Sequence, residues 1–308
     1  IFWGDLRNPE DVYQAVQDRE VIIHLGAIIP PLANEKPELS QMVNYGGTLN
    51  ILQACQAQDN PPKLIFSSSV AIYGDVRHLE DKLLKTSQPF NPSPHDHYAR
   101  QKIACEKLIS QSDLEWAIFR LAAIGTLKLN VDPLMFEVPL DTRLEYAHTK
   151  DTGLALAKAV TTEEVWGNIF HLGGGPDSRV TYKEYVNRLL EAIGVGTLPD
   201  EAFGDKPFHC GYMDTKRSQA LLNYQKHTFN DYVQEIKNRY QFIRFFIKLF
   251  RPIIRSYLLR KSPYYNDYRQ KTKDYLQSKR LKTKKIKPED KKKPINKKKI
   301  IKKNIQKT

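Results

Sequence analysis

Tyr98 and Lys102 stand four residues apart, a spacing that puts both side chains on one face of a helix. An ammonium beside a phenol favours the phenolate, drawing a group with a free pKa of about 10 towards a usable range. A phenol tuned in this way can give a proton to a carbonyl oxygen, or take one from an alcohol, while hydride moves at the carbon. Ser69 ends the run Ser67-Ser68-Ser69, and a serine hydroxyl at the carboxyl end of a parallel strand can hydrogen-bond the same oxygen. Tyr-x-x-x-Lys by itself arises often by chance, the alternative being a surface Tyr and a solvated Lys on an ordinary helix. The serine run shortly upstream is what raises the pair above that background.

Positioning these groups takes strands that end near one another. Glu20–Leu25, Lys63–Phe66 (running into Ser67–Ser69), Glu115–Leu121 and Asn168–Leu172 are short apolar runs that predict strands. Between them, Pro37–Gln58, Tyr98–Ser110, residues 150–160 and Thr181–Ile193 carry helical periodicity, and Thr181 with Glu184 has capping-box spacing. Alternation of this kind predicts an α/β fold, a parallel sheet covered on both faces. Gly173–Gly175 lacks the spacing of a phosphate-binding loop and predicts a tight connection from strand to helix.

On these residues the chain resembles the extended short-chain dehydrogenase/reductases, the NAD-dependent epimerase/dehydratase family. Phe66-Ser-Ser-Ser-Val-Ala-Ile-Tyr-Gly74 followed by Tyr98-x-x-x-Lys102 carries the resemblance. Gly4-Asp5-Leu6-Arg7, His24-Leu25-Gly26-Ala27, Asn44-Tyr-Gly-Gly-Thr48-Leu-Asn50, His148-Thr-Lys-Asp151 and Asn168-Ile-Phe-His-Leu-Gly-Gly-Gly175 fall in the family's order. The resemblance covers roughly residues 1 to 240 and implies a Rossmann-like doubly wound sheet, with substrate-side elements over about 121–240. It implies Ser69, Tyr98 and Lys102 as catalytic residues. It also implies a NAD or NADP site touched by Asp5, Leu6, Leu25, Gly26, Ala27, Asn44, Ser67, Tyr98 and Lys102. Tyr98 would be the acid/base, Lys102 would lower its pKa and hold the nicotinamide ribose, and Ser69 would orient the substrate oxygen.

The departures bear on function. The family's leading strand, Gly-x-x-Gly-x-x-Gly loop and helix have no counterpart, and the chain starts with Ile1 where a third strand should be. This predicts an N-terminally truncated chain whose sheet lacks its first strands, with NAD versus NADP left open. Val70 and Ala71 stand where the family's dehydratases carry Asp-Glu, so epimerisation or carbonyl reduction is expected over dehydration. Ala122 and Ala123 stand where an Asn would meet substrate phosphate, which weakens a nucleotide-sugar substrate without excluding it.

Bland readings accompany several residues. His24 predicts a hydrogen-bonded core histidine, Ser67 and Ser68 supports for the turn, and Asp151 a helix N-terminal charge. His95, Asp96 and His97 predict a solvated loop, and no residue set has the spacing of a metal site. Cys55, Cys105 and Cys210 are too scattered for a disulfide framework and predict reduced thiols. With no signal peptide pattern and no long apolar run, the expected location is the cytoplasm.

Charge divides the chain. Residues 241–308 hold 24 of the 48 Lys and Arg but only four acids, a net of +20, while residues 1–240 are mildly acidic at −7. A globally basic nucleic-acid binder is excluded for the body. In Gln241–Arg260, Arg244, Lys248, Arg251 and Arg255 form one helical stripe beside a wide apolar and aromatic face, with Pro252 kinking the helix or starting a second. Residues 241–262 thus predict an amphipathic basic helix, fit for an anionic membrane interface. The equal alternative is a helix packed on the sheet or against a second copy of the chain, its cations in water. The Lys-rich stretch 263–308 predicts disorder.

The preferred expectation is an NAD(P)-dependent oxidoreductase or epimerase acting on a sugar nucleotide or related hydroxyl/carbonyl compound. A non-catalytic dinucleotide-binding sensor or scaffold, at a membrane surface, shares the same fold and is the alternative.

Overall fold

The computed structural model describes residues 1–80, 83–128 and 133–285. Four strands, β1 (Val21–His24), β2 (Lys63–Ser69), β3 (Trp116–Leu121) and β5 (Asn168–Leu172), form one parallel sheet in the order β1-β2-β3-β5. The register pairs His24 with Phe66, Phe66 with Ile118, and Phe119 with Phe170. Leu64, Ile65 and Phe66 are all buried because helices cover both faces of the sheet.

One face carries α1 (Pro9–Val16), α2 (Gly47–Gln56) and α3 (His97–Ser110), with Val12, Ile51, Leu52, Cys105 and Ile109 packed on Leu64, Phe66 and Ile118. The other carries α4 (Thr149–Ala159) and α6 (Lys216–Leu222), with Ala155, Leu156 and Leu222 on Ile65, Phe119 and Phe170. The helical pattern over Pro37–Gln58 resolves into Pro37–Ser40, a wider turn at Gln41–Gly46, and α2.

A second core lies beside the sheet. β4 (Arg143–Ala147) pairs antiparallel with β6 (Arg179–Thr181), and α5 (Tyr182–Ile193) and α7 (Phe229–Arg239) cover them through Tyr146, Val186, Leu190, Phe229 and Tyr232. The triple glycine leads first to a turn, Pro176–Ser178, and to β6 before the helix begins. A Cβ on Gly174 would lie 2.2 Å from the Tyr146 carbonyl oxygen, so the turn admits no larger residue. Of the capping box expected at α5, the Thr181 hydroxyl accepting the Glu184 amide is present; the reciprocal box forms at α7, between Thr228 and Asp231.

Residues after 240 form α8 (Gln241–Leu249), α9 (Arg251–Lys261) and α10 (Pro263–Lys285), with Pro252 in the first turn of α9. Disorder is therefore not what the structure has over 263–285. The Ser262 hydroxyl donates to the Ala202 carbonyl at 2.6 Å and accepts the Tyr265 amide at 3.1 Å, and Tyr264 and Tyr265 pack on the second core. This anchored first turn gives a lysine-rich helix a nucleus that composition does not reveal. Residues 286–308, the rest of the segment for which disorder is expected, lie outside the described residues. No helix among the described residues is long and apolar enough to cross a membrane.

Candidate active site

β2 ends in Ser69, whose hydroxyl accepts the Ala71 amide at 3.2 Å and so caps the turn Val70–Tyr73. α3 packs against that turn. Asp96 caps α3, accepting the Ala99 amide at 2.9 Å, and this fixes the helix so that Tyr98 stands beside Ser69. One turn on, the buried Lys102 ammonium donates to the Ser67 carbonyl at 2.6 Å, 4.5 Å from the centre of the Phe66 ring and 5.8 Å from that of Tyr98. The three residues singled out from sequence thus converge at the carboxyl end of β2.

Their electrostatics differ from the sequence expectation. Burial pushes the Tyr98 phenol up to about 12, offset only in part by the bond from Ser69, with Asp96 adding to the rise. Lys102 is itself brought down to about 8 by burial. Its ammonium is aimed at a backbone carbonyl, so the tuning of the phenol by an adjacent cation is not the arrangement here. The phenol is a protonated donor at neutral pH.

The residues expected at a cofactor cluster around the ends of β1 and β2. Leu6 sits against Gly26, where a Cβ would come within 2.8 Å of Leu6 Cδ1, and Leu25 is 55% exposed. The Ser67 hydroxyl donates to the His24 carbonyl at 3.0 Å and locks β1 to β2. Asn44 is buried and spent: its oxygen accepts the Ile28 amide at 2.7 Å, and its nitrogen donates to the Ile28 carbonyl at 2.9 Å and to Gln101 at 2.7 Å. It therefore shapes the Gly26–Ile28 loop. Asp5 pairs with Arg7, which holds its carboxyl down to about 2. His24 is the core histidine expected, its Nε2 3.0 Å from the Thr48 hydroxyl and its pKa pressed to about 3 by burial and then by Lys102.

Ser69 lines a cleft of about 360 Å³ with Pro30, Pro31, Ala122, Phe208, His209 and Cys210. A second space of about 550 Å³, reaching Asp96, Glu137 and Lys206, shares Pro30, Pro31, Leu134, Phe208 and His209 with it. The expected solvated loop is corrected at Asp96, which is buried and in contact with His209 Nδ1 across this cleft. Val70 and Ala122 are buried and apolar, leaving no acid or amide at those two places.

Sequence reasoning missed the support behind α3. Glu106, a further turn along the Tyr98–Lys102 face, makes a fully buried ion pair with Arg120 of β3 at 2.7 Å. Arg120 donates also to the Tyr73 hydroxyl at 2.6 Å, and Tyr73 meets His171 Nε2 at 2.7 Å. The i+8 position of Glu106 was the available signal; its partner on β3 was not.

His148, Asp151 and His227 also come together. Their hydrogen bonds account for the cluster: His148 accepts the Lys150 amide at Nδ1 and meets Glu235 at Nε2, while Asp151 accepts the Lys226 and His227 amides, both at 2.8 Å. Asp151 is thus a clamp on the segment before α7 as well as a first-turn charge of α4. All three cysteines are buried and free, and burial pushes Cys55 and Cys210 up to about 12.

Residues 1–124 match the model of the NAD dependent epimerase/dehydratase family. This part of the chain is similar to that family. D-erythronate dehydrogenase of Haemophilus influenzae is 35% identical over 107 residues, 34% of this chain and 32% of that protein. The decarboxylating sterol-4-alpha-carboxylate 3-dehydrogenase of Bos taurus is 31% identical over 112 residues, 35% of this chain and 29% of that protein. The chain thus matches about a third of the length of these curated relatives. In fold it is similar to the UDP-glucose 4-epimerase of Thermus thermophilus in complex with NAD, with a TM-score of 0.63 at 22% identity over 78% of this chain and 84% of the other. It is similar also to RMD from Pseudomonas aeruginosa complexed with NADPH, with a TM-score of 0.64 at 18% identity over 78% and 87%. The α/β fold with a parallel sheet and flanking helices is that of the epimerase/dehydratase family.

Proposed function

We propose that this chain carries the proton-transfer half of an NAD(P)-dependent oxidoreductase or epimerase acting on a hydroxyl/carbonyl carbon of a sugar-like compound. The observation that carries the reading is the convergence of Tyr98, Ser69 and Lys102 at the carboxyl end of β2, beside a cleft that Ser69 lines. Such sheets collect their ligands at that end.

The residues present fit the nicotinamide ribose. Lys102 has three donors, of which the Ser67 carbonyl takes one, and the Gly26–Ile28 loop is held open by Asn44. A bound dinucleotide would supply the hydride. Tyr98, protonated and beside Ser69, would give its proton to a carbonyl oxygen in the cleft, and the Ser69 hydroxyl would fix that oxygen. In the reverse direction the phenolate must form, and Lys102, one turn away and only moderately basic, is the cation able to turn towards it. Val70 and Ala122 leave no acid for water elimination and no amide for a substrate phosphate at those positions, so reduction or epimerisation is the reading rather than dehydration. The related proteins named as dehydrogenases and an epimerase support the class.

Titration with NADH and NADPH followed by a screen of sugar acids and nucleotide sugars tests it. Tyr98→Phe should bind dinucleotide as wild type does and lose about 10²- to 10⁴-fold in turnover, the usual share of a general acid. Undiminished turnover would remove Tyr98 from the mechanism, and binding without turnover on any substrate would favour a cofactor sensor.

A further inference from the structure

α8 and α9 are mounted inside out. Three arginines of the basic stripe, Arg244, Arg251 and Arg255, reach back to the carboxyl end of α5 and the segment after it, although Lys248 and Arg251 stay exposed. Arg244 donates to the Glu191 carbonyl at 3.4 Å, Arg251 to the Val195 carbonyl at 2.8 Å, and Arg255 to the Thr197 carbonyl. The Glu191 carbonyl is in the last turn of α5, at the negative end of the helix dipole, where cations are favoured, and Val195 and Thr197 follow directly after it. The surface is cut to receive the stripe. Gly194 caps α5 in the left-handed region at φ +97°, and a Cβ there would meet the stems of Lys248 and Arg244 at 3.1 and 3.2 Å. A Cβ on Gly196 would coincide with the Arg251 guanidinium.

Contacts to three carbonyls set which side of the two helices faces the protein. Ile247, Ile254 and Leu258 go inward to the second core. The rest of the apolar side points away from the protein: Phe242 is 82% exposed, Phe245 68%, Phe246 59%, Leu249 62% and Ile253 65%. Phe250 and Tyr257 extend the same patch at 49% and 53%. A contiguous run of exposed aromatic and aliphatic side chains on a rigid mount marks an interaction surface.

We infer that this face seats on an anionic lipid bilayer, with α8 and α9 lying in the interface and their Phe, Leu and Ile side chains at the headgroup–acyl boundary. Charge complementarity selects the occupant. The segment that includes these helices carries 24 Lys and Arg against four acids from residue 241 to 308, in a body that is otherwise acidic. An anionic surface attracts such a segment, and aromatic residues are suited to its interface. A second copy of the chain would bring an equally cationic segment to the same face, so like charge opposes self-association there.

The test uses the full chain and vesicles of phosphatidylcholine, alone or mixed with an equal part of phosphatidylglycerol. Wild type should sediment with the mixed vesicles and not with phosphatidylcholine alone. The triple variant Phe245→Ser, Phe246→Ser, Leu249→Ser should bind about tenfold or more weakly, because three side chains of the inserted face are removed. All three positions are exposed, and an unchanged circular dichroism spectrum and unfolding midpoint certify the variant's fold. Sedimentation of the variant equal to wild type overturns the proposal, leaving the lysine-rich tail as the binder. Failure of wild type to sediment overturns it as well. So does a wild-type dimer, seen by light scattering, that the same substitutions convert to monomer.

Discussion

α3 and the pair α8–α9 both turn charged side chains towards the protein, to different ends. α3 draws its polar face inward: Lys102, Glu106 and Gln101 are buried, each with a protein partner. α8 and α9 also turn three arginines onto carbonyls, but send their aromatic face out. In α3 the buried charges stand under a cleft and serve to fix a phenol. In α8–α9 the inward cations serve only to fix the helix, and the surface they orient is the outward one. A polar side chain turned towards the protein thus has two uses, and its neighbours on the opposite face tell which applies.

Substitutions can break the comparison, beginning with the largest effect. Tyr98→Phe should abolish most turnover while leaving the unfolding midpoint near wild type, because the hydroxyl's partner, Ser69, keeps its bond to the Ala71 amide. Glu106→Ala should do the reverse of a surface change. It leaves Arg120 charged and buried, and urea unfolding should show a loss of about 3–5 kcal/mol. A loss below about 1 kcal/mol, the range of exposed pairs, would mean that water reaches this pair and that the support under α3 is not dry.

Acidification sharpens the same point. His24 and His171 are held by burial at about 3 and about 4, below the ordinary 6.5 of a histidine. Between those values and 6.5 the unfolded chain binds protons that the folded chain does not, so stability falls as pH falls. Each histidine contributes up to roughly 1.4 kcal/mol per pH unit in that window. Urea titrations at neutral and mildly acidic pH should show the slope, and His24→Asn should reduce it; an unreduced slope would place the proton uptake elsewhere. The smallest effect belongs to α9. Arg251→Gln removes one cation from the carboxyl end of α5 and should cost about 0.5–1.5 kcal/mol in the unfolding free energy. A neutral result would show that apolar contacts through Ile247, Ile254 and Leu258 hold the helices without the arginines.

Much of this was legible before any coordinates. Apolar runs marked the four strands of the sheet, because strands buried on both faces must be continuously apolar. Tyr98, Lys102 and Ser69 were found by type and spacing, since a helix face and a strand end are local properties. Asp151 stands in the first turn of its helix as expected, but the backbone amides that it and Asn44 accept from segments far away in sequence were not legible. The Asp96–His209 and Glu106–Arg120 pairs were not legible, as each joins separate elements. The helical state of 263–285 was also missed, because composition cannot show an anchoring contact such as Ser262 on Ala202.

By itself, then, the order of residues determined the alternation of strands and helices, the stripe on which Tyr98 and Lys102 stand, and the segregation of positive charge beyond residue 240. Those are periodicities and sums, set along the chain. Only the folded molecule decided that the phenol is raised rather than lowered in pKa, and that the arginine stripe faces the protein while the phenylalanines face out. Both outcomes depend on what lies opposite a side chain across space. Desolvation and the pairing of charge with carbonyl act over a few ångströms, at distances the chain closes only by folding.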